Sequence, residues 1–197
     1  MNILKTEELR SELKVLLTPE RMLHSEGCAE MAAALAAPFG TILLEKACFA
    51  GLAHDIARDF PERLIKKFSA IEDGRDIERW KKGALLSHGP LGARHVAANF
   101  CFDRAIYKAI FFHTTGCRGM SRLQQILLIA DFCEKTRSFK EALLLRREIS
   151  STRPSKERLL IWSVQVLKYK LRYLLDEGRR ISPLSLQAYN SMLKRIS

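Results

Sequence analysis

Two aspartates stand where a folded chain tolerates them least. Asp55 lies in a segment, Ala47 to Ala57, that is apolar apart from its neighbour His54. Asp131 closes the run Ile126-Leu127-Leu128-Ile129-Ala130. A carboxylate on a buried face is costly unless it is paired, protonated or bound to a metal. A single buried Asp or His is usually a satisfied core residue. Here the two acids are accompanied by four histidines in apolar or glycine-rich contexts. His24 sits in Arg21-Met22-Leu23-His24-Ser25, and His54 precedes Asp55 in Gly51-Leu52-Ala53-His54-Asp55. His88 sits in Ser87-His88-Gly89-Pro90, and His113 opens His113-Thr114-Thr115-Gly116. Neutral imidazole and carboxylate together suit first-row divalent ions. Adjacent His and Asp on a helix point about 100° apart, so both can reach one ion, or Asp55 can bridge two. One ion needs about four protein ligands at most with a water position left open. Six candidates therefore point to two ions.

The rest of the chain reads as helix nearly throughout, with no convincing strand alternation. Helices are expected over Met1–Leu17, from Thr18-Pro19 to about Ala37, from about Thr41 to Arg58, and from Pro61 to about Phe68. A polar loop is expected over Ser69–Arg79. Gly89-Pro90 should open a helix to about Phe100, with His88 at its start. Asp103 should cap another helix, which ends at Phe112 and leaves His113 at its end. Ser121 should cap a helix to about Glu134. Two more cover Phe139–Ile149 and Ser155–Leu175, and Ser182-Pro183 opens a last one. The fold class is all-α, and residues 1–197 are read as one domain.

Five cysteines without a C-x-x-C pair argue against a disulfide framework or a cysteine zinc site. The N-terminus lacks the apolar stretch of a signal peptide. The uncharged run Met31–Leu44 is broken by Pro38 and Gly40 and is too short to span a bilayer. A cytoplasmic protein with no membrane partner is expected. The net charge is +11, and residues 135–197 hold 15 basic and 5 acidic residues of the total. That excess favours phosphate-rich partners. Exposed Arg146, Arg147 and Arg153 would steer a polyphosphate by long-range attraction. Trp162, Tyr169, Tyr173 and Tyr189 fall at spacings that suit core packing, without the aromatic interleaving of an RNA-binding surface. Nucleic acid is accordingly not expected as a partner, and the oligomeric state is left open.

The order H, HD, H, H, D, with its surrounding strings, resembles the HD-domain superfamily. More narrowly, the chain resembles the YqeK family of bacterial HD-domain hydrolases. The likeness rests on Arg21–Ser25, Ala50–Asp59, Ser87–Ala93, His113–Gly116, Met120–Asp131 and, weakly, Gly178–Asn190. It implies an HD-type helical bundle, with a catalytic part at about 18–134 and basic helices at about 135–197. It implies hydrolysis of a dinucleoside polyphosphate, diadenosine tetraphosphate to two ADP, by water activated at a dinuclear site. The implied metal ligands are His24, His54, Asp55, His88, His113 and Asp131, with Asp55 bridging and catalytic. Two divalent or iron-type ions are implied, iron foremost, with Mn, Co or Zn as alternatives. Arg58 would hold phosphate and assist the chemistry, and Thr114, Thr115 and Gly116 would line the phosphate path. Glu134-Lys135 stands where the family has Glu-Pro, and the resemblance assigns no role beyond Glu134. His95 lies outside the pattern. Competing readings are another HD phosphohydrolase (a nucleotidase, dNTPase or cyclic-nucleotide phosphodiesterase) or a basic RNA- or ribosome-binding protein with a vestigial metal site.

Overall fold

A computed structural model describes residues 5–68 and 84–196. Helices α1 (Thr6–Leu16), α2 (Pro19–Ala36), α3 (Thr41–Ala53) and α4 (Pro61–Phe68) form the first part, with a short 3-10 turn at Ala37–Phe39. They are followed by α5 (Ala84–Asn99), α6 (Arg104–Phe112), α7 (Arg122–Cys133), α8 (Lys140–Ser151), α9 (Lys156–Asp176) and α10 (Pro183–Leu193). Among the described residues the structure is all-α. The loop expected over Ser69–Arg79 lies outside them. No helix among them is long and apolar enough to cross a membrane.

Local chemistry explains most boundaries. Thr18 accepts a hydrogen bond from the Arg21 amide with Pro19 in the first turn, a preorganised helix start. Asp103 accepts from the amides of Ala105 and Ile106. Ser121 and Gln124 form a reciprocal capping box at the start of α7. Two expectations differ from the structure. Helix α3 ends at Ala53, short of Arg58, and residues 54–57 form tight turns closed by Ile56 to Ala53 and Arg58 to Asp55. Helix α5 begins at Ala84 and carries Pro90 in its interior, so His88 lies within the helix rather than at its start. A proline inside a helix removes one backbone donor.

Helix α7 is the axis of the fold. Every residue from Leu123 to Cys133 is buried, as expected of a helix with neighbours on all sides. It packs against α2, α3, α6, α8 and α9. Asp131 therefore emerges from the middle of the molecule. Arg146 is half-buried and donates to the carbonyls of Cys133, Glu134 and Arg137. It closes the turn after α7 and is not an exposed steering residue; Arg147 and Arg153 are exposed. Trp162 is buried and donates to Glu148, joining α9 to α8. Tyr169 and Tyr173, expected in the core, are instead 36% and 54% exposed.

Helices α2 and α3 make the most extensive helix pair, and Gly51 sets their separation. A Cβ at Gly51 would lie 2.7 Å from the Ala29 Cα and 2.9 Å from the Cys28 carbonyl oxygen. Both obstacles are backbone, so relief requires the helices to part. Gly51→Ala should destabilise the protein by about 1–3 kcal/mol through overpacking. The melting temperature should fall by about 2–4 °C per kcal/mol lost, whereas an unchanged transition would show that the crossing is looser than this.

Candidate metal centre

Six side chains from five parts of the chain meet around Asp55. His24 comes from the middle of α2, His54 and Asp55 from the turn after α3, His88 from α5, His113 from the end of α6 and Asp131 from α7. All six are buried. The Asp55 carboxylate divides the histidines into two pairs. Its Oδ2 lies 3.8 Å from His24 Nε2 and 3.6 Å from His54 Nε2. Its Oδ1 lies 3.3 Å from His88 Nε2 and 3.5 Å from His113 Nε2. Within the pairs the Nε2 atoms are 3.2 Å and 3.0 Å apart. Asp131 joins the first pair, its Oδ1 at 3.3 Å from His24 and 3.8 Å from His54. Two ligand triads result, His24-His54-Asp55 and Asp55-His88-His113, each able to hold one ion.

Helix ends create this convergence. His54 and His113 are both C-caps with nearly the same backbone angles, φ −59° with ψ −35° and −33°. Each donates its Nδ1–H over 2.7 Å to the carbonyl three residues earlier, Gly51 and Ile110. The Gly51 carbonyl is among the acceptors a helix end leaves unsatisfied, and the Ile110 carbonyl also takes the His113 amide. The bond fixes the tautomer and turns Nε2 into the cluster. Gly89 lets α5 approach: a Cβ there would meet the Phe111 carbonyl at 2.9 Å and His113 Nδ1 at 3.4 Å. His88 is thereby carried onto His113.

The charge environment is strongly perturbed. Burial drives the His54 imidazole down to about 4, with Asp55 opposing and His113 assisting. Burial also lowers His88 against the pull of Asp55. For His24, burial is outweighed by hydrogen bonds to Asp131 and Glu134, which raise it to about 8. Burial would raise both carboxyls, but His54, His113 and His88 hold Asp55 well below the usual range. Lys170, His24 and His54 do the same for Asp131.

The donor set fits a two-metal centre. Four imidazoles and two carboxylates match the preferences of first-row divalent ions. Three of the four histidines direct Nδ1 to a second partner in the manner of metal ligands, His24 to Glu134 and His54 and His113 to backbone carbonyls. Glu134, fully buried, is itself fixed by the Thr136 amide and hydroxyl. His88 differs, since its Nδ1 faces Arg58 Nη1 at 3.1 Å. Arginine can only donate. A His88 that gives Nε2 to an ion carries its proton on Nδ1, and that state requires Arg58 to turn away.

Among the other candidates, Thr114 Oγ1 lies 3.1 Å from His113 Nε2 and 3.3 Å from His88 Nε2, inside the cluster. Thr115 and Gly116 are placed differently. The Thr115 hydroxyl donates to the Gly116 carbonyl, and the Gly116 amide donates to Phe112. Gly116, at φ +67°, is wedged beneath Ala188 and Met120. Its amide is engaged in the turn and is not offered to a phosphate.

Three cations border the site; the sequence offers Arg21 as a phosphate contact or a salt-bridge partner of a nearby acid, and gives no role to Arg137 or Lys170. Arg21 contacts Asp55 Oδ2 at 3.0 Å. Arg137 Nη2 contacts Asp131 Oδ1 at 2.8 Å, and Lys170 contacts Asp131 Oδ2 at 3.3 Å. The spacing of Arg137 six residues after Asp131 was a local signal; Lys170, 39 residues away, carried none.

An all-helical bundle that buries this ligand set defines a metal-dependent hydrolase of the HD type. The HD domain family model matches residues 21–136, and the chain belongs to that family. It is 30% identical to the symmetrical bis(5'-nucleosyl)-tetraphosphatase of Halalkalibacterium halodurans over 92% of this chain and 93% of the relative. It is 28% identical to the enzyme of the same description from Bacillus subtilis, over 93% and 95%. It also resembles a crystal structure from Clostridium acetobutylicum, described as a predicted HD superfamily hydrolase involved in NAD metabolism. That match has a TM-score of 0.77 at 28% identity and covers 96% of this chain and 97% of the other.

His95 is buried elsewhere, bonded to Glu12 at 2.9 Å and near Asn99. It ties α5 to α1. Metal analysis of purified variants separates the two environments. Asp55→Ala should lose both ions, because each triad contains Asp55. His95→Ala should keep the wild-type metal content and lose about 0.5–3 kcal/mol of stability through the packing and the Glu12 bond that the buried imidazole supplies. Loss of metal in His95→Ala, or a full complement in Asp55→Ala, would contradict this division.

Proposed function

We propose that this protein hydrolyses dinucleoside polyphosphates, cleaving diadenosine tetraphosphate symmetrically to two ADP. The observation that carries this reading is the Asp55 carboxylate, which presents one oxygen to each of two histidine pairs beside a border of cations. The relatives described as symmetrical bis(5'-nucleosyl)-tetraphosphatases over nearly the whole chain support the substrate class and the narrower YqeK assignment. We read residues 1–197 as one functional unit, since Lys170 of α9 reaches Asp131 of α7.

His24, His54 and Asp131 would hold one ion and His88 and His113 the other, with Asp55 shared. Iron is the favoured metal, and Mn, Co or Zn are alternatives. Two such ions supply Lewis-acid polarisation of phosphate oxygens and a water acidic enough to attack at neutral pH. The chain supplies the remainder. Arg58, once turned from His88, can take a phosphate oxygen, and Thr114 offers a hydroxyl beside it. Arg137 and Lys170 extend the positive edge along the polyphosphate. Fixed cations at a desolvated site stabilise the charge that develops on transferring phosphoryl oxygens. A nucleoside diphosphate is a good leaving group and needs little proton donation.

Purified protein loaded separately with Fe, Mn, Co or Zn should convert diadenosine tetraphosphate to ADP alone, read by chromatography of the products. Asp55→Ala should lower the rate by more than about a hundredfold, beyond the range seen for residues that only support a ligand. AMP plus ATP as products would overturn symmetrical cleavage. Preference for NAD as substrate would move the reading toward the metabolism named for the Clostridium acetobutylicum neighbour.

A further inference from the structure

A cleft of about 800 Å³ opens beside the metal centre, between α7, the start of α8 and α9. Asp131 and Arg137, already part of the site's border, form its inner wall, with Lys170 next to them. Its other wall is aromatic. Phe132 and Tyr169 lie nearly parallel, with ring centres 6.0 Å apart and an interplanar angle of 12°. Phe139 stands edge-on to Phe132 at 5.1 Å, and Tyr173 lines the cleft one turn beyond Tyr169. Phe132 is buried, but Phe139 is 42% exposed and the two tyrosines are similarly open. Half-exposed rings along a concave wall are poorly used as core, and such patches mark ligand grooves. The volume falls within the range of about 300–1,000 Å³ typical of small-molecule sites.

Charge orients any occupant. The inner end carries Arg137 and Lys170, suited to phosphate oxygens. The wall also includes Glu141 and Asp176, the latter paired with Arg172 at 3.6 Å. Carboxylates on this wall repel further phosphate and can accept from the exocyclic amine of a base. Cations at one end and stacking rings beyond them match a nucleoside phosphate better than a bare polyphosphate chain. Aromatic rings bind bases face to face whatever the base, and arginine adds cation–π attraction.

We propose, on the dinucleoside polyphosphate reading above, that this cleft receives the base and ribose of one nucleoside of the substrate. Tyr169 is the stacking platform, Phe139 and Tyr173 flank it, and Lys170 and Arg137 hold the adjoining phosphates. The test uses metal-loaded full-length protein as wild type, Tyr169→Ala, Tyr169→Phe and Tyr173→Ala. Calorimetry measures affinity for ADP and for inorganic pyrophosphate, and steady-state kinetics follow diadenosine tetraphosphate. Tyr169→Ala should weaken ADP by about tenfold, the scale of one lost base–aromatic stack. It should raise KM for diadenosine tetraphosphate more than it lowers kcat and leave pyrophosphate affinity unchanged. Tyr169→Phe, which keeps the ring, should restore wild-type ADP affinity. Should Tyr169→Ala fail to fold, Tyr173→Ala carries the test with a smaller loss in the same direction. Equal ADP affinity in wild type and the alanine variants overturns the subsite even if the protein makes two ADP. Parallel loss of ADP and pyrophosphate overturns it too, since the ring would then act only by supporting the cations. Ring-dependent ADP binding by a protein that leaves diadenosine tetraphosphate intact would keep the subsite and remove the hydrolase reading.

Discussion

One carboxylate organises this molecule. Asp55 is 4% exposed and has four imidazoles around its two oxygens. An isolated buried carboxylate costs several kcal/mol, so every element that passes near it must bring compensation. Helix α2 brings His24 and Arg21, α5 brings His88 and α6 brings His113. Nonadjacent stretches of chain are thus held to one point. The Thr18 amide and hydroxyl both donate to Asp59, which anchors the start of α2 to the segment just past Asp55. The site and the packing of the N-terminal helices are therefore the same arrangement seen at different scales.

Helix termination does the fine positioning. Had α3 continued to Arg58, as its composition suggests, His54 could not have capped it. Ending at Ala53 leaves the Gly51 carbonyl free for His54 Nδ1, and the following tight turn swings Asp55 into the cluster. The end of α6 repeats the device with Ile110 and His113. In both places a backbone carbonyl of the last helical turn selects the tautomer that leaves Nε2 available to an ion. Coordination chemistry here depends on where two helices stop.

What could be read in advance follows from the range of the interactions. The capping residues Thr18, Asp103 and Ser121 act within three positions, so their roles were legible. The six clustered side chains stand out as a set because acids and histidines in apolar runs are conspicuous and their order resembles a known family. Roles that depend on distant partners were hidden. Arg146 reads as one more surface arginine, yet it closes the turn after α7 through three carbonyls. Lys170 sits in a basic helix with nothing local to distinguish it, and only the packing of α9 on α7 brings it to Asp131. Tyr169 and Tyr173 fit a core-facing spacing, but they line the cleft beside α9 and stay partly exposed there. Thr115 and Gly116 share a string with Thr114, and backbone hydrogen bonding alone separates them from it.

The uneven charge along the chain acquires a specific meaning in this geometry. The N-terminal two-thirds is nearly balanced and supplies the ligands, whereas residues 135–197 carry a large basic excess. Two members of that excess, Arg137 and Lys170, touch Asp131 directly. There they neutralise a buried acid, as Arg21 does for Asp55. On the function proposed above, the same cations would lie along the polyphosphate. Part of the basic excess therefore acts inside the fold, against an acid that the N-terminal helices help to bury, and is not simply a solvated face.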